Sequence, residues 1–271
     1  MPELPEVETT RRGIEPHLHG RRIRAVRVHD ARLRWPVTPG LNQTLRGQRV
    51  RAVERRAKYL LLRLTHGTVI LHLGMSGNLR VLPQETALRK HDHLELQLDS
   101  GHSLRLNDPR RFGSCLYTKD DPAQHPLLRD LAPEPLEPEF DGAYLHRITR
   151  RRRVAIKPLL LNGRLITGVG NIYASEALFC AHIRPRRAAR SLTRAECQRL
   201  AASIRRVLSA AIRAGGTTLR DYVGADGDPG HFRQQLYVYE RAGIPCRRCR
   251  TPIRQITQGQ RSTYYCPQCQ Q

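Results

Sequence analysis

The sequence predicts an α+β protein of two domains ending in a metal-bound finger. Three observations carry that prediction. Short apolar runs separated by turn signals fill the chain as far as Tyr117. A proline-rich stretch at 131–140 then divides the chain, and helical periodicity dominates its second half. Near the end, Cys246-x2-Cys249-x16-Cys266-x2-Cys269 places two cysteine pairs at zinc spacing. A chain of 271 residues is long enough for two cores.

The first element is a helix. Val7, Ile14 and Leu18 recur at helical spacing, and Pro5, Glu6 and Glu8 suit a first turn facing the positive end of the helix dipole. Just before it stands Pro2. If Met1 is removed, Pro2 carries a secondary α-amine whose pKa lies well below that of lysine, so a larger fraction is nucleophilic near neutral pH. Such an amine attacking a sugar C1′ forms an iminium, and Glu3 beside it is placed to move protons. The alternative is a Pro/Glu leader that only caps the helix.

Strands are expected at Ile23–Val28, Tyr59–Leu64, 68–73, around Leu94, Leu96 and Leu98, around Leu104 and Leu106, and at 112–117. Short strands at this spacing predict a sandwich or a barrel. Three loops between them carry unusual chemistry. Arg55-Arg56-Ala57-Lys58 places cations before an apolar strand, which by itself reads as a solvated strand edge. His72-Leu73-Gly74-Met75-Ser76-Gly77 presents a methionine on a turn, and Asn107-Asp108-Pro109-Arg110-Arg111-Phe112-Gly113 presents Arg and Phe on another. Singly, each apolar residue reads as a core plug. Together they suit a protein that opens a duplex, where apolar wedges and an arginine fill the hole left by a flipped base. Lys90-His91-Asp92-His93 also permits a weak metal site, but no second ligand cluster accompanies it.

Past the proline-rich boundary comes the basic run Arg150-Arg151-Arg152-Arg153, then a short helix from Ile156 that stops at Asn162-Gly163. The string Leu165-Ile166-Thr167-Gly168-Val169-Gly170-Asn171-Ile172-Tyr173-Ala174-Ser175-Glu176 combines a tight glycine turn with a helix start, a combination suited to phosphate. It is not a dinucleotide fingerprint. Thr193-Arg194-Ala195-Glu196 is a capping box, and Leu200, Ile204, Val207, Leu208 and Ala211 give the apolar stripe of a helix ended by Gly215-Gly216. The following loop at 217–231 is long enough to be functional. In the tail, 252–257 and 260–265 read as a hairpin about Gln258-Gly259, with Arg261 near its tip. Four thiolates leave no open position on the metal, so one structural zinc is expected. Cys115, Cys180 and Cys197 are left as scattered reduced thiols.

The net charge of +23 and pI near 10.9 favour a polyanion partner. Arginine far outnumbers lysine, so base composition of the source contributes to that count, and charge alone does not separate DNA from RNA. No run of eighteen apolar residues and no signal peptide is present, so a soluble, cytoplasmic protein without a membrane partner is expected.

Pro2-Glu3-Leu4-Pro5-Glu6-Val7-Glu8-Thr9 closely resembles the N-terminus of the bacterial formamidopyrimidine-DNA glycosylases, and the string from Leu165 to Glu176 resembles the helix–two-turn–helix of that superfamily. The resemblance runs in order over essentially the whole chain. It implies an N-terminal β-sandwich with a flanking helix over 1–132, a helix–two-turn–helix domain over 133–240 and a zinc-ribbon-like finger over 241–271. It implies a monomeric bifunctional glycosylase and AP lyase acting on double-stranded DNA that carries an oxidised purine. Pro2 would be the nucleophile and Glu3 the proton donor, with Lys58 and Arg261 assisting at the site. Met75, Arg110 and Phe112 would fill the opened stack. His91, Arg152, Lys157 and Asn171 would contact DNA, Tyr239 would help the finger do so, and the 217–231 loop would cover the everted base. Cys246, Cys249, Cys266 and Cys269 would bind the zinc. The rival enzyme is the endonuclease VIII type, which prefers oxidised pyrimidines. The rival outside catalysis is a zinc-finger DNA-binding protein, which leaves Pro2, Glu3 and Lys58 without a joint explanation.

Overall fold

The computed structural model describes residues 2–217 and 235–271. Its contacts divide the chain into two compact units, Met1–Asp130 with Ala214–His231 and Leu131–Arg213 with Phe232–Gln271. The finger therefore shares a unit with the helices, and the piece after Arg213 belongs to the first unit. Both features have local causes: Phe179 packs against the finger, and Glu6 bonds Thr217. Of the 217–231 loop, only Thr217 lies within the described residues.

In the first unit, α1 (Leu4–Leu18) forms where the apolar spacing predicts it, with Val7, Ile14 and Leu18 fully buried. Next come β1 (Ile23–Val28), α2 (Leu41–Leu45), β2 (Val50–Arg56), β3 (Tyr59–Leu64), β4 (Thr68–His72), β5 (Asn78–Pro83), β6 (Asp92–Leu98), β7 (His102–Asn107) and β8 (Ser114–Thr118). The strands make two four-stranded antiparallel sheets, β1-β6-β7-β5 and β2-β3-β4-β8. One apolar cluster draws on both sheets and on α1, so the architecture is a sandwich with a flanking helix. Inside it, Arg105 and Glu95 pair across β6 and β7 at 3.2 Å, both almost wholly buried. The last strand starts at Ser114, two residues later than expected, because the turn before it is held shut by Asp108, whose Oδ2 accepts the Gly113 N–H at 2.8 Å.

The second unit contains α3 (Gly142–Thr149), α4 (Ile156–Leu160), α5 (Asn171–Cys180), α6 (Arg194–Arg213), β9 (Arg254–Gln258) and β10 (Arg261–Tyr265). Thr193 and Glu196 cap α6 reciprocally, at 3.2 and 2.8 Å. Gly142 lets α3 lie against α6, since a Cβ there would sit 2.6 Å from the Gln198 Cα. The proline-rich stretch is anchored to α6, because the Arg205 guanidinium donates to the carbonyls of Pro135, Glu137, Pro138 and Phe140. The finger hairpin β9–β10 turns at Gly259-Gln260, both with positive φ, the geometry of a two-residue hairpin loop. Phe179 of α5 packs into one apolar cluster with Val238, Ile253, Cys246 and Cys266, which is why the finger joins the helical unit.

Candidate active site and DNA interface

Pro2 is buried at the mouth of α1, and Glu3 is the N-cap residue with extended backbone. The position of Glu3 is set by Glu6, whose Oε2 accepts the Glu3 N–H at 2.8 Å. The other oxygen of Glu6 accepts the Thr217 N–H at 2.8 Å. That bond draws the chain after α6 into the first unit, and the left-handed Gly216 leaves room for it, since a Cβ there would stand 3.2 Å from the Glu6 carboxylate.

Lys58 follows Ala57 in the two-residue β2–β3 turn, where Ala57 takes a left-handed backbone. Across the sheet, Tyr59 faces His72 with ring centroids 4.8 Å apart. Burial pushes the His72 imidazole down to about 4, helped by the charges of Lys58 and Arg34. His72 is therefore neutral, and its Nδ1 accepts the Gly74 N–H at 3.0 Å. The lysine turn and the methionine turn thus meet at one uncharged histidine.

Met75 and Phe112 are both exposed, 38% and 40%, at the ends of two interlocked turns. Asp108 locks them and has no exposed surface. Its Oδ1 accepts from Ser76 Oγ at 2.8 Å, and Ser76 Oγ in turn accepts the Arg110 N–H at 3.2 Å. Gly74 is pressed against the backbone between Phe112 and Gly113, where a Cβ would stand 2.4 Å from the Phe112 carbonyl carbon. The Arg110 guanidinium lies over the Phe112 ring at 5.0 Å. His91, also left-handed, accepts the Asp108 N–H through its carbonyl at 3.0 Å. Met75, Arg110, Phe112 and His91 are therefore brought together on one scaffold.

In the second unit, Arg152 is exposed and bonds the Ile148 carbonyl at 2.9 Å through Nε. Lys157 behaves otherwise. It is 1% exposed, and its ammonium donates to Asn171 Oδ1 at 2.6 Å, to the Ser262 carbonyl at 3.0 Å and to Thr263 Oγ1 at 2.7 Å. These bonds use all three of its donors. Asn171 also donates to the Ser262 carbonyl, at 2.9 Å. Lys157 and Asn171 consequently hold the first residues of β10, next to the exposed Arg261. The segment leading to the finger is fixed by Glu176, a buried carboxylate accepting the N–H groups of Tyr237, Val238 and Tyr239 at 2.8 to 2.9 Å. Tyr239 stacks edge-on against Tyr264 of the hairpin.

The sulfurs of Cys246, Cys249, Cys266 and Cys269 lie within 4.8 Å of one another. Two of the separations, 3.9 and 3.4 Å, approach the edge of about 3.8 Å that a tetrahedron with metal–sulfur bonds of about 2.3 Å requires. Burial pushes the Cys266 and Cys269 thiols up, a cost that a divalent cation removes. The donor set fits one zinc.

Comparison with known proteins agrees along the whole chain. Residues 1–115 match the formamidopyrimidine-DNA glycosylase N-terminal domain, 131–223 the H2TH domain of the same enzymes, and 243–271 the zinc finger found in FPG and IleRS. The formamidopyrimidine-DNA glycosylase of Thioalkalivibrio sulfidiphilus is 60% identical over 270 residues, with both chains covered completely. This chain belongs to the formamidopyrimidine-DNA glycosylase family. The Stutzerimonas stutzeri member is 55% identical, again with full coverage of both chains. The Lactococcus lactis Fpg, solved in complex with an abasic-site DNA, superposes with a TM-score of 0.91 at 32% identity and full coverage of both chains. The MutM (Fpg) protein of Thermus thermophilus does so at 0.89 and 40% identity, covering 99% of this chain and 98% of that one. As in the matched finger family, the four cysteines hold a structural zinc.

Sequence reasoning about this glycosylase did not single out Asp108, His72 or Glu176, and it gave Glu6 only a helix-dipole role. The signal that could have exposed the two acids of the scaffold is weak: an acid just before a Pro-Arg-Arg turn, and an acid inside an otherwise apolar helix.

Proposed function

We propose that this protein excises oxidised purines from double-stranded DNA and then cuts the strand, with Pro2 as nucleophile. The observation that carries this reading is a buried Pro2 beside an N-cap Glu3, in a chain whose family is defined by base excision. Once Met1 is removed, the Pro2 nitrogen attacks C1′ of the everted nucleotide. The C1′–base bond breaks, and the base leaves with its electron pair and is protonated. Glu3 gives a proton to the sugar ring oxygen as the bond from C1′ to that oxygen breaks, which opens the ring and leaves C1′ doubly bonded to the Pro2 nitrogen. The resulting Schiff base acidifies C2′, and loss of that proton expels the 3′ phosphate. A second elimination expels the 5′ phosphate. Lys58 and Arg261 assist these proton transfers and hold phosphate. Met75, Arg110 and Phe112 fill the vacated stack, and His91, Arg152 and Asn171 face the backbone. For Lys157 we favour an indirect part, the positioning of Asn171 and of the hairpin that bears Arg261. The zinc supplies no chemistry beyond folding the finger, because its four ligands leave no open position. We assign DNA opening to residues 1–132 and DNA holding to 133–240 and 241–271. The chain carries its whole reactive set, so it acts as a monomer, in the bacterial cytoplasm. Among the described residues, no helix is long and apolar enough to cross a membrane.

A second reading is favoured by one comparison. The wild-type Lactococcus lactis Fpg, 33% identical, was solved with DNA containing an oxidised pyrimidine. Borohydride trapping on duplexes carrying either 8-oxoguanine or an oxidised pyrimidine tests both readings. A trapped adduct mapping to Pro2, faster on the purine, is expected. Equal trapping by protein shown by mass spectrometry to retain Met1 would remove Pro2 from the mechanism.

A further inference from the structure

The far end of α1 carries a second basic feature. Arg22, Arg46, Arg49 and Arg51 line one cavity of about 430 Å³, together with His66. Among the described residues, none of these four arginines pairs with a carboxylate. Two of them are held in place by backbone. Arg22 Nη1 donates to the Gly47 carbonyl at 2.7 Å, and Arg49 Nη1 donates to the Gly20 carbonyl. The walls are fixed as well, by a bridge between Arg22 and Arg49, by the Arg49–Thr65 bond at 3.1 Å and by the His66 N–H on Gln48 Oε1 at 2.8 Å. Arg46 and Arg51 are exposed, and their side chains make no hydrogen bond within the described residues.

A solvated cation on a strand edge is ordinary. Four guanidinium groups around one cavity, with no acid among them and two pre-oriented, form a standing concentration of positive charge that an anion relieves. Position separates this cavity from the reaction. Pro2 and Glu3 precede the first turn of α1, and Gly20 follows its last turn. A helix of this length spans about 22 Å.

We propose that this cavity is a second DNA-backbone site, which takes the phosphates of another duplex segment while the Pro2 end is engaged. The inference depends on the glycosylase reading for the identity of the polyanion. DNA is preferred to an acidic protein because the enzyme's own substrate supplies phosphates wherever the enzyme works, so occupancy requires no additional partner. Its consequence is direct transfer between duplex segments without an intervening free state.

The test uses full-length zinc-loaded protein and the double variant Arg46→Gln, Arg51→Gln, both exposed and remote from Pro2. Release of a labelled lesion duplex of about 15 base pairs, one and a half helical turns, is followed against rising concentrations of unlabelled duplex. For the parent, the release rate should climb with competitor concentration, because the second site captures DNA first. For the variant it should stay flat, while single-turnover excision on the short duplex changes less than twofold. On a duplex several times longer, the variant's salt slope should be shallower by about two units, one for each lost phosphate contact. Parent release that ignores competitor concentration overturns the proposal, as does a variant that responds like the parent. Acceleration by a glutamate-rich peptide but not by DNA also overturns it and makes the cavity a protein-docking site. Loss of excision by the parent itself would instead count against the glycosylase reading, so the two failures are distinguishable.

Discussion

Asp108 shows how much of the site depends on single buried acceptors. Its carboxylate satisfies Ser76 Oγ and the buried Gly113 N–H, and through Ser76 it also fixes the Arg110 backbone. Asp108→Ala leaves those donors dry, at a cost of about 1–3 kcal/mol for each buried donor left unpaired. The turns bearing Met75 and Phe112 should then separate. The expected result is a loss of affinity for a lesion duplex that exceeds the loss for a duplex already opened by an abasic site, measured in paired titrations; equal losses would reduce Asp108 to a folding role. His72 makes a prediction about pH. Its pKa is near 4 folded and about 6.5 in an unfolded chain, so the unfolded state binds the extra proton between those values. The contribution of His72 to stability is therefore intact above pH 6.5 and is lost progressively as pH falls towards 4. The melting temperature of the parent should drop more across that window than that of His72→Asn, whose side-chain oxygen can still accept the Gly74 N–H.

Among the elements, the finger separates metal from chemistry. Cys249→Ser should lose zinc, unfold the β9–β10 hairpin and weaken binding to every duplex, since the finger's few buried apolar residues sit in a small cluster shared with Phe179 and Val238. Arg261→Ala should keep zinc and fold, because Arg261 is exposed on the hairpin and is not a ligand. It should flatten the salt slope by about one unit and let the β-eliminated product accumulate. One metal assay and one product gel distinguish the two variants, and parent-like cleavage by Arg261→Ala at several salt concentrations would exclude it from the site. What could be read from sequence depends on the range of the interactions. α1, α6 and the finger are specified within a few residues, by apolar spacing, a capping box and cysteine pairs; α1 and α6 form where expected, and the finger hairpin turns one residue later, at Gly259-Gln260 rather than Gln258-Gly259. β2 and β5 escaped because each buries few residues and carries arginines, so neither shows a clean alternation. α3 escaped because it is short and owes its place to Gly142 lying against α6. In the site, exposed Met75, Phe112 and Arg261 are visible as turn residues. The buried acids that hold such residues are not, because their partners are distant: 32 residues for Asp108 to Ser76, 61 or more for Glu176. The surroundings of Lys157 are hidden for a related reason, since Ser262 and Thr263, which enclose its ammonium, lie over a hundred residues away.

At the scale of the whole molecule, the chain leaves the first unit at Asp130, builds α3 to α6 in the second, and returns after Arg213. The return is sealed at Glu6, whose two oxygens accept one N–H from Glu3 and one from Thr217, 211 residues away. The same carboxylate therefore places a proposed proton donor and closes the longest loop in the first unit. Glu6→Gln keeps the size but offers one acceptor where two are needed, and its amide group then faces an N–H. The expected cost is about 1–3 kcal/mol for the buried donor left unpaired. Two consequences should appear together. Amide exchange protection should fall at both Glu3 and Thr217, although they are far apart in sequence. Single-turnover excision should slow, while zinc content and affinity for undamaged duplex stay at parental values, because Glu6 belongs to neither the finger nor the α4–α5 region. A structural role without catalytic consequence predicts the lost protection with normal excision at a temperature well below melting. A variant that slows excision while both amides remain protected would show instead that Glu6 acts on the reaction directly rather than by holding Glu3.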